Sequence, residues 1–263
     1  MAIHPWAQVH PKAEIGEGVE IGPFTVVEEK VRIGDGTVIH PHVVIHRNTI
    51  LGRECQVFTG AVLGGPPQDL KYQGEESYLI VGDHTIIREF VTLHRATGEG
   101  EATRIGSHAM LMAYCHVGHN CVVGDYVVIA NAVGVGGYTV IEEYVMIGGM
   151  TGIHQKVRIG KMAMVGGYSR VNRDVPPFML AEGIPMTIHG LNVVGLRRRG
   201  VSAEVREQLH QAYRLLYRSN LNTSQAIQRI RETIPSSPEL EYLLTFLENI
   251  RQGRAGRQLE GKR

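Results

Sequence analysis

The chain has 263 residues, which is enough for one large domain or two ordinary ones. Lysine and arginine number 27 against 26 aspartate and glutamate, and only 20% of the residues are charged, so the composition excludes a protein that binds nucleic acid through a broadly basic surface. No stretch approaches the roughly 20 apolar residues of a membrane span. The first ten residues do not show the basic segment followed by an apolar run that is typical of a leader. Together with three cysteines that lack CxxC spacing, these features predict a cytoplasmic protein without a membrane span.

A six-residue repeat begins at Ile3 and continues to Val171. Every sixth residue from Ile3 to Val171 gives 29 positions, and Val, Ile or Leu occupies 26 of them. The three exceptions are Asp69, Glu75 and Glu99. They fall in two interruptions, residues 69–80 and 99–104, which we interpret as loops that leave a regular solenoid, and such loops often carry functional sites.

A second restricted position lies four residues after each aliphatic one and holds small or β-branched residues, among them Ala7, Thr25 and Val43. The position directly after the aliphatic residue is often glycine, as at Gly16 and Gly34, where we expect a tight corner with positive φ. Each hexapeptide is then one short strand plus one corner, and three of them close a triangular coil of about 18 residues. The sequence therefore predicts a mainly β protein, a parallel β-helix whose coils stack at roughly 4.8 Å.

The repeat stops after Val171 in a proline-rich segment, and from about residue 197 the pattern of apolar residues is helical. The predicted N-caps of three helices are Ser202, Thr223 or Ser224, and Ser237. We therefore divide the chain into residues 1–190, a β-helix, and residues 191–263, a small α-helical subdomain.

One group of histidines lies outside the inward-facing positions, at His116 and His119. Two coils of about 18 residues each separate His119 from Gln155, so both should lie at one corner of the prism, about 10 Å apart in height, with Gly137 midway. His154 then lies beside Gln155 at the upper end. An imidazole next to an exposed backbone N–H suits acyl transfer through a tetrahedral intermediate, and a solvated corner is the alternative.

The remaining cysteines and histidines have simpler interpretations. Cys55, Cys115 and Cys121 occupy the small inward position, so we expect them to be buried packing residues and not nucleophiles. Other histidines, such as His4 and His40, directly follow an aliphatic residue, and we expect them to be structural residues of left-handed corners.

Six segments combine uncommon residues in a fixed order: QDLKY (68–72), HVGHN (116–120), IGGMTGIHQ (147–155), MVGG (164–167), DVPPFMLAEG (174–183) and GLNVVGLRRRG (190–200). Together they resemble the UDP-N-acetylglucosamine O-acyltransferase family of hexapeptide-repeat proteins. The resemblance implies that the β-helix is left-handed. It also implies transfer of an acyl chain, typically 3-hydroxyacyl, from acyl carrier protein to the glucosamine 3-hydroxyl of UDP-N-acetylglucosamine, the first step of lipid A synthesis. No bound cofactor is implied, because the phosphopantetheine arm of the carrier protein delivers the chain.

The resemblance assigns roles residue by residue. His119 matches the general base that takes the proton of the sugar hydroxyl, and Gly137 matches the backbone N–H that binds the oxyanion. Arg198 matches a contact to the acidic carrier protein, and Gly167 matches the position that limits acyl-chain length. Residues that match contacts to the sugar nucleotide or the acyl donor are Asp69, Lys71, His116, Tyr138, His154, Gln155, Asn192 and Arg199.

Two residues depart from the family pattern. Asn120 follows the catalytic histidine where aspartate is frequent; its amide oxygen can accept from an imidazole N–H and orient the ring, but it supplies no negative charge. Tyr138 occupies a position that is commonly histidine. Family members form homotrimers with sites between subunits, and uncharged outward residues such as Met112 and Met146 partly support this arrangement.

Three other functions stay open on the sequence alone. A zinc enzyme like the γ-class carbonic anhydrases would use His116 and His119, but a third ligand is not obvious, so we predict no metal site. Another acyltransferase of this architecture would use coenzyme A or add the next, N-linked chain. A purely structural solenoid would need neither the segment 69–80 nor His119.

Overall fold

Short parallel strands alternate with turns along most of the chain in the computed structural model, which describes residues 2–254 and 256–257. Strands pair with the strand one coil later, so that Ala2 pairs with Glu20 and Ile3 with Ile21. Three stacks of such strands form the three faces of a column. The structure therefore confirms the predicted fold class, a left-handed parallel β-helix followed by α-helices.

Each face of the column is one sheet, built within the described residues as follows. Sheet 1 has 11 strands: β1 (Ala2–Ile3), β4 (Glu20–Ile21), β7 (Val38–Ile39), β10 (Gln56–Val57), β13 (Ile86–Ile87), β16 (Met110–Leu111), β19 (Val128–Ile129), β22 (Met146–Ile147), β25 (Met164–Val165), β27 (Met179–Glu182) and β28 (Thr187–Leu191). Sheet 2 has nine strands: β2 (Gln8–Val9), β5 (Val26–Val27), β8 (Val44–Ile45), β11 (Val62–Gly65), β14 (Thr92–His94), β17 (His116–Val117), β20 (Gly134–Val135), β23 (Gly152–Ile153) and β26 (Arg170–Val171). Sheet 3 has eight strands: β3 (Glu14–Ile15), β6 (Arg32–Ile33), β9 (Thr49–Leu51), β12 (Tyr78–Val81), β15 (Ala102–Ile105), β18 (Val122–Val123), β21 (Val140–Ile141) and β24 (Arg158–Ile159).

The core of the column consists of the two inward positions that the repeat predicts. Aliphatic residues such as Ile39 and Leu63 are fully buried, and each contributes about 1.5–3 kcal/mol by leaving water. The small position is buried as well, and its polar members pair with the backbone: Thr25 Oγ1 donates to the carbonyl of His40 at 2.8 Å. The small residues therefore fill the corners of the column, and the hydroxyl of Thr25 is paired there.

Positive φ occurs at the third residue after the aliphatic position, and our prediction that it occurs directly after that position is wrong. The third position holds Phe24 (φ 60°), Lys30 (φ 57°) and Asn120 (φ 56°). Glycine directly after the aliphatic residue has another cause, because a Cβ on Gly148 would lie 2.4 Å from the backbone nitrogen of Gly167 in the next coil. Close approach between coils favours glycine there, and the histidines at the same position are not left-handed corners.

Two insertions widen the coil between sheets 2 and 3. Gln56 pairs with Ile86 and Ile86 pairs with Met110, so both of these coils contain more residues than the regular coil that separates Ala2 from Glu20. The extra residues form loop 1, residues 66–77 between β11 and β12, and loop 2, residues 95–101 between β14 and β15. Both loops therefore leave the column near the same corner.

The sequence located both loops but placed their bounds too late. β12 begins at Tyr78 and β15 begins at Ala102, so the predicted loops 69–80 and 99–104 both extend into strands. Leu79, which pairs with Thr49, is fully buried, and Val81, which pairs with Leu51, is buried and lies on the sixfold count from Ile3. The loops end where an inward aliphatic residue becomes available.

The chain reverses after β27, because β28 pairs with it in the antiparallel direction. Four helices follow: α1 (Val193–Arg198), α2 (Ala203–Tyr217), α3 (Thr223–Thr233) and α4 (Pro238–Arg251). The predicted boundary between residues 190 and 191 falls inside β28, and Met1 and residues 255 and 258–263 of the two predicted ranges lie outside the described residues. Among the helices of residues 2–254 and 256–257, none combines the length and apolar character needed to cross a bilayer.

The caps of the helices agree with the sequence except at α3. Ser202 and Ser237 accept from backbone N–H groups at the starts of α2 and α4, as predicted. The cap of α3 is Asn222, and the prediction of Thr223 or Ser224 is wrong, because Asn222 and Gln225 form a reciprocal capping box. The helices pack on the last coil through a shared apolar cluster that includes Phe178, Met179, Leu196, Leu209 and Leu243.

Candidate active site

A column of residues from three successive coils forms the centre of the candidate site. The N–H of Tyr138 donates to the His119 carbonyl at 2.9 Å, and the N–H of Lys156 donates to the Gly137 carbonyl at 2.9 Å. His119, Gly137 and Gln155 therefore lie one above another at the corner that follows sheet 2. The structure brings these three residues together as the regular coil predicts, with the exposed His154 adjoining Gln155.

The His119 ring lies across the backbone of Gly137. A Cβ built on Gly137 would be 2.6 Å from Nε2 of His119, so only glycine leaves room for this ring position. Nδ1 lies 2.9 Å from Oδ1 of Asn120, and Nε2 lies 3.9 Å from a carboxylate oxygen of Asp69 in loop 1. The ring of Tyr138 contacts the imidazole edge to face, with centroids 5.2 Å apart. The Nε2 side of the ring thus faces Gly137 and Asp69, and the Nδ1 side faces Asn120.

Loop 2 fixes the amide of Asn120. Oδ1 of Asn120 accepts from the N–H of Thr97 at 2.9 Å, and Nδ2 donates to the Thr97 carbonyl at 3.0 Å. The backbone N–H of Asn120 donates to Oγ1 of Thr103 at 2.8 Å. Asn120 has a left-handed backbone, which asparagine tolerates better than most residues. Three hydrogen bonds to Thr97 and Thr103 therefore hold Asn120, the predicted orienter of the ring, in place beside His119.

Arg95 attaches loop 1 to the column. Its side chain is buried, and it donates to the Gly64 carbonyl at 2.9 Å and to Oη of Tyr72 at 2.9 Å. Asp69 closes a local turn by accepting from the N–H of Lys71 at 3.0 Å, and Lys71 itself is exposed. These contacts place Asp69 beside the His119 of its own chain and leave the lysine at the surface of the loop.

Two further histidines line the base of the site. Nδ1 of His116 lies 2.9 Å from Oγ1 of Thr92, and the His116 ring meets the His94 ring edge to face at 5.1 Å. Burial lowers the pKa of His116, and the neighbouring imidazoles of His94 and His119 lower it further. Burial also lowers the pKa of His94, against the effect of the Pro66 carbonyl that its Nδ1 contacts. Both shifts favour the neutral form of these two imidazoles.

An open trough crosses the outer face of sheet 2 above His116. His116 pairs with Gly134, and Gly134 pairs with Gly152 in the next coil. A Cβ on either glycine would meet no atom within 4 Å, so the space directly above both glycines is open. It connects the corner of His119 with the corner that carries Gly167.

The other predicted residues lie at different corners of the same chain. Gly167 is exposed at the corner after sheet 1, where a Cβ would lie 3.2 Å from the Gly149 carbonyl oxygen. Arg199 lies over the ring of Tyr144, 4.4 Å from its centroid, at the corner after sheet 3. Within one chain the structure therefore does not unite these residues with His119.

Asn192 is part of the local structure near Arg199. Its Oδ1 accepts from the N–H of Gly195 at 3.0 Å and caps α1, while its Nδ2 donates to the Met162 carbonyl at 2.9 Å. Arg198 and Arg199 stand on the last turn of α1, and both border a cavity of about 590 Å³ whose apolar lining includes Met146, Met162 and Met164. Asn192 caps the first turn of α1, and the arginines at the other end of this short helix border an apolar cavity, a combination suited to a base and its phosphates.

The three cysteines lie in the core of the column, away from solvent. The three cysteines are buried and unpaired, as predicted, and burial raises the pKa of the Cys121 thiol to about 12. Among residues 2–254 and 256–257, no group of three or more His, Cys, Asp or Glu side chains could hold a metal ion. Within those residues, His116 and His119 are not joined by a third side chain of these types.

Several residues of the site were not found from the sequence. Thr97, Arg95 and Tyr72 lie in loops that interrupt the repeat, so no periodicity relates them to His119. Gly134 and Gly152 follow His116 at intervals of one coil, and this regular spacing was a signal that could have identified the trough.

Comparisons with known proteins identify the family of the chain. The family model described as "Bacterial transferase hexapeptide (six repeats)" matches residues 102–137, and the model described as "Udp N-acetylglucosamine O-acyltransferase; Domain 2" matches residues 174–255. The acyl-[acyl-carrier-protein]--UDP-N-acetylglucosamine O-acyltransferase of Trichlorobacter lovleyi is 48% identical over 257 residues, which cover 96% of this chain and 98% of that protein. The enzyme of the same name from Halorhodospira halophila is 42% identical over 252 residues, covering 95% and 98% of the two chains.

Solved structures give the same result for the fold. A structure of LpxA from Acinetobacter baumannii superposes with a TM-score of 0.91 at 41% identity and covers 95% of this chain and 97% of that one. LpxA from Bacteroides fragilis, described as a UDP-N-acetylglucosamine acyltransferase, superposes with a TM-score of 0.92 at 40% identity over 94% of this chain and 96% of that one. The chain therefore belongs to the UDP-N-acetylglucosamine O-acyltransferase family.

Proposed function

We propose that this protein transfers a fatty acyl chain, in its typical form a 3-hydroxyacyl chain, from acyl carrier protein to the glucosamine 3-hydroxyl of UDP-N-acetylglucosamine, the first step of lipid A synthesis. Family membership supports the reaction. The single observation that supports the mechanism is the position of the His119 ring, whose Nδ1 is hydrogen-bonded to Asn120 and whose Nε2 lies over Gly137.

His119 acts as the general base in this reaction. Nε2 takes the proton of the sugar hydroxyl while the hydroxyl oxygen attacks the thioester carbonyl, forming a C–O bond and a tetrahedral oxyanion. Among the described hydrogen bonds the Gly137 N–H has no acceptor, so it is available to the oxyanion. Collapse of the intermediate breaks the C–S bond, and the departing thiolate of the phosphopantetheine arm takes the proton back from the imidazolium. The balance requires no bound cofactor.

The substrate contacts extend from this centre. Asp69 and Lys71 on loop 1 bind the sugar, and His116, Tyr138, His154 and Gln155 line the pocket for the sugar nucleotide and the thioester. The acyl chain follows the trough over Gly134 and Gly152 toward Gly167. An apolar chain fits this path because the two glycines leave open space above the sheet.

The separation of the predicted residues supports a homotrimer with sites between subunits. Asn192 and Arg199 lie at the corner after sheet 3, while His119 lies at the corner after sheet 2, so one prism must place its nucleotide-binding corner against the catalytic corner of another. Leu70 at the tip of loop 1 is fully exposed in the single chain, as an aliphatic residue destined for a contact would be.

Carrier protein binds at the end of α1, where Arg198 adjoins Arg197 and Arg199. An arginine cluster attracts an acidic partner through charge, so binding should weaken as salt rises. The buried, unpaired cysteines suit a reducing compartment, and we place the protein in the cytoplasm.

The first experiment tests the base. Purified protein is incubated with UDP-N-acetylglucosamine and a series of acyl carrier protein thioesters, and the products are weighed by mass spectrometry. His119→Ala should lower kcat by about 10² to 10⁴, the usual contribution of a general base, while leaving the fold intact. His10→Ala is the matched control, because His10 is exposed in the second hexapeptide, far along the repeat from the site. Near-normal turnover by His119→Ala would disprove the assignment.

The second experiment tests the location of the site between chains. His119→Ala and Arg199→Ala subunits are mixed, unfolded and refolded together. If each site takes His119 from one chain and Arg199 from another, about a quarter of the sites in random trimers contain both native residues and regain activity. No recovery over the separate variants would contradict a shared site, and light scattering gives the number of chains in the assembly.

A further inference from the structure

Asn120 contacts one peptide group of loop 2 through both ends of its amide. The Thr97 N–H points at Oδ1 over 2.9 Å, and the Thr97 carbonyl faces Nδ2 over 3.0 Å. A backbone N–H can only donate and a carbonyl can only accept, so this pair of contacts determines which end of the amide is oxygen. The usual ambiguity between the two orientations of an asparagine amide is thus removed by the residue it binds.

The fixed amide determines the state of the His119 ring. Oδ1 lies 2.9 Å from Nδ1 of His119 and can only accept, so Nδ1 must carry the hydrogen in the neutral ring. Nε2 is then the unprotonated nitrogen, and it lies on the side of Gly137 and Asp69. This is the tautomer that a base at Nε2 requires.

We propose that the Thr97 peptide group is the positioning element of the catalytic histidine, and that it selects asparagine over aspartate at position 120. The proposal rests on the proposed function of His119 as the base. Thr97 touches no reacting atom; it acts through Asn120. An aspartate at 120 could accept from both the Thr97 N–H and the His119 Nδ1–H, but its second oxygen would face the Thr97 carbonyl oxygen at about 3 Å with no hydrogen between them.

Loop 2 is held firmly enough to act as a reference point. Oε1 of Glu75 in loop 1 accepts from the Gly98 N–H at 2.9 Å, and Oε2 of Glu99 accepts from the Glu76 N–H at 3.0 Å. The two loops therefore brace each other across the corner. Displacing the Thr97 peptide would disturb both loops, so the repulsion in an aspartate variant should be relieved at Asn120 and His119 instead.

The groups that face His119 define what a pH profile would report. A carboxylate oxygen of Asp69 lies 3.9 Å from Nε2, and the Tyr138 ring packs on the imidazole. His94 and His116 interact electrostatically with His119 from sheet 2. Asn120 completes the set and is neutral. A carboxylate at 120 would add a charge on the Nδ1 side, where the neutral amide of Asn120 lies in the native chain.

The test compares Asn120→Asp and Asn120→Ala with the native protein. We expect kcat of Asn120→Asp to fall by about ten- to a hundredfold, since misplacing a reacting group by about 1 Å costs on the order of 10², while KM for the sugar nucleotide changes little. The acid limb of its kcat/KM profile should move to higher pH, because the new carboxylate stabilises the imidazolium. Asn120→Ala should lose rate without this movement. If Asn120→Asp equals or exceeds the native kcat, the proposal is wrong.

A spectroscopic measurement separates this proposal from the assignment of the base. The ¹⁵N shifts of the His119 ring, assigned by their loss in His119→Ala, report which nitrogen is protonated. We expect Nδ1–H in the native protein and a mixture of tautomers in Asn120→Ala. An Nε2–H ring in the native protein, or an unchanged tautomer in Asn120→Ala, would overturn the positioning role even if His119→Ala is inactive. Asn220→Asp, at an exposed asparagine between α2 and α3, is the control and should match the native protein in rate and spectrum.

Discussion

Replacing Gly137 with alanine should inactivate the site while leaving the prism folded. The new Cβ would lie 2.6 Å from Nε2, 2.8 Å from Cε1 and 3.0 Å from Cδ2 of His119, compared with about 3.5–4.0 Å for atoms in ordinary contact. The backbone is held in place, because the Gly137 carbonyl accepts from Lys156 and the His119 carbonyl accepts from Tyr138, both at 2.9 Å. The ring must therefore move by about 1 Å, and its hydrogen bond to Asn120 breaks.

The free energy of unfolding should change little, because two effects oppose each other. Losing the hydrogen bond between the His119 ring and Asn120 costs about 0.5–1.5 kcal/mol. Exchanging glycine for alanine returns about 0.4–1 kcal/mol by restricting the unfolded chain. Alanine keeps the backbone N–H that we propose for the oxyanion, so the expected loss of rate comes from the displaced His119 ring and should reach about 10² to 10⁴.

The assay is kcat/KM for acyl transfer together with urea unfolding, measured on Gly137→Ala, His119→Ala and the double variant. The double variant should be no slower than the slower single variant, since both substitutions disable the same group, the His119 base. It should also be at least as stable as Gly137→Ala, because removing the ring relieves the clash. Gly190→Ala is the control, as a Cβ on Gly190 meets nothing within 4 Å. A Gly137→Ala rate within about threefold of native would refute this account of the ring position.

Three further predictions address the trough, loop 1 and the buried histidines. Gly167→Leu should shift the preferred donor to shorter chains, with about fourfold lost per methylene excluded, and an unchanged preference in competition assays would contradict the acyl path. Arg95→Met removes charge-assisted hydrogen bonds worth about 1.5–3 kcal/mol each, so loop 1 should be cut faster by proteases and KM should rise; equal cleavage rates would oppose this. Because burial lowers the pKa of His94 and His116 below the unfolded value of about 6.5, their contribution to stability is complete above that pH and is lost as the pH falls below it. Urea unfolding at pH 7.5 and 5.5 should show this loss, and His116→Gln should reduce it; the opposite slope would contradict the sign.

The sixfold period was sufficient to predict the column and the vertical neighbours of His119. Both follow from one geometric fact, because a coil of constant length returns every residue to the same corner. The period did not identify which turn residue has positive φ, since two separate causes favour glycine in a hexapeptide. One is the left-handed backbone at the third position, which Phe24 and Lys30 also adopt, and the other is the close approach of coils at positions such as Gly148.

The sixfold pattern could not predict the contacts of the two loops. Thr97 and Asn120 are 23 residues apart, a separation that is not a multiple of the coil, and their pairing depends on how loop 2 folds back on the corner. The sequence raised Asn120 as a weaker substitute for aspartate. The structure shows a reason for the amide that only the Thr97 peptide supplies.

The reversal of direction at β28 has a consequence for assembly. A stack of parallel strands finishes in a row of unpaired backbone groups, and such a row can template the addition of another polypeptide, as fibrils do. In this protein the antiparallel return of Thr187–Leu191, with Phe178 and the helices seated above it, occupies that row. Addition of further strands to sheet 1 is therefore blocked at this end of the column.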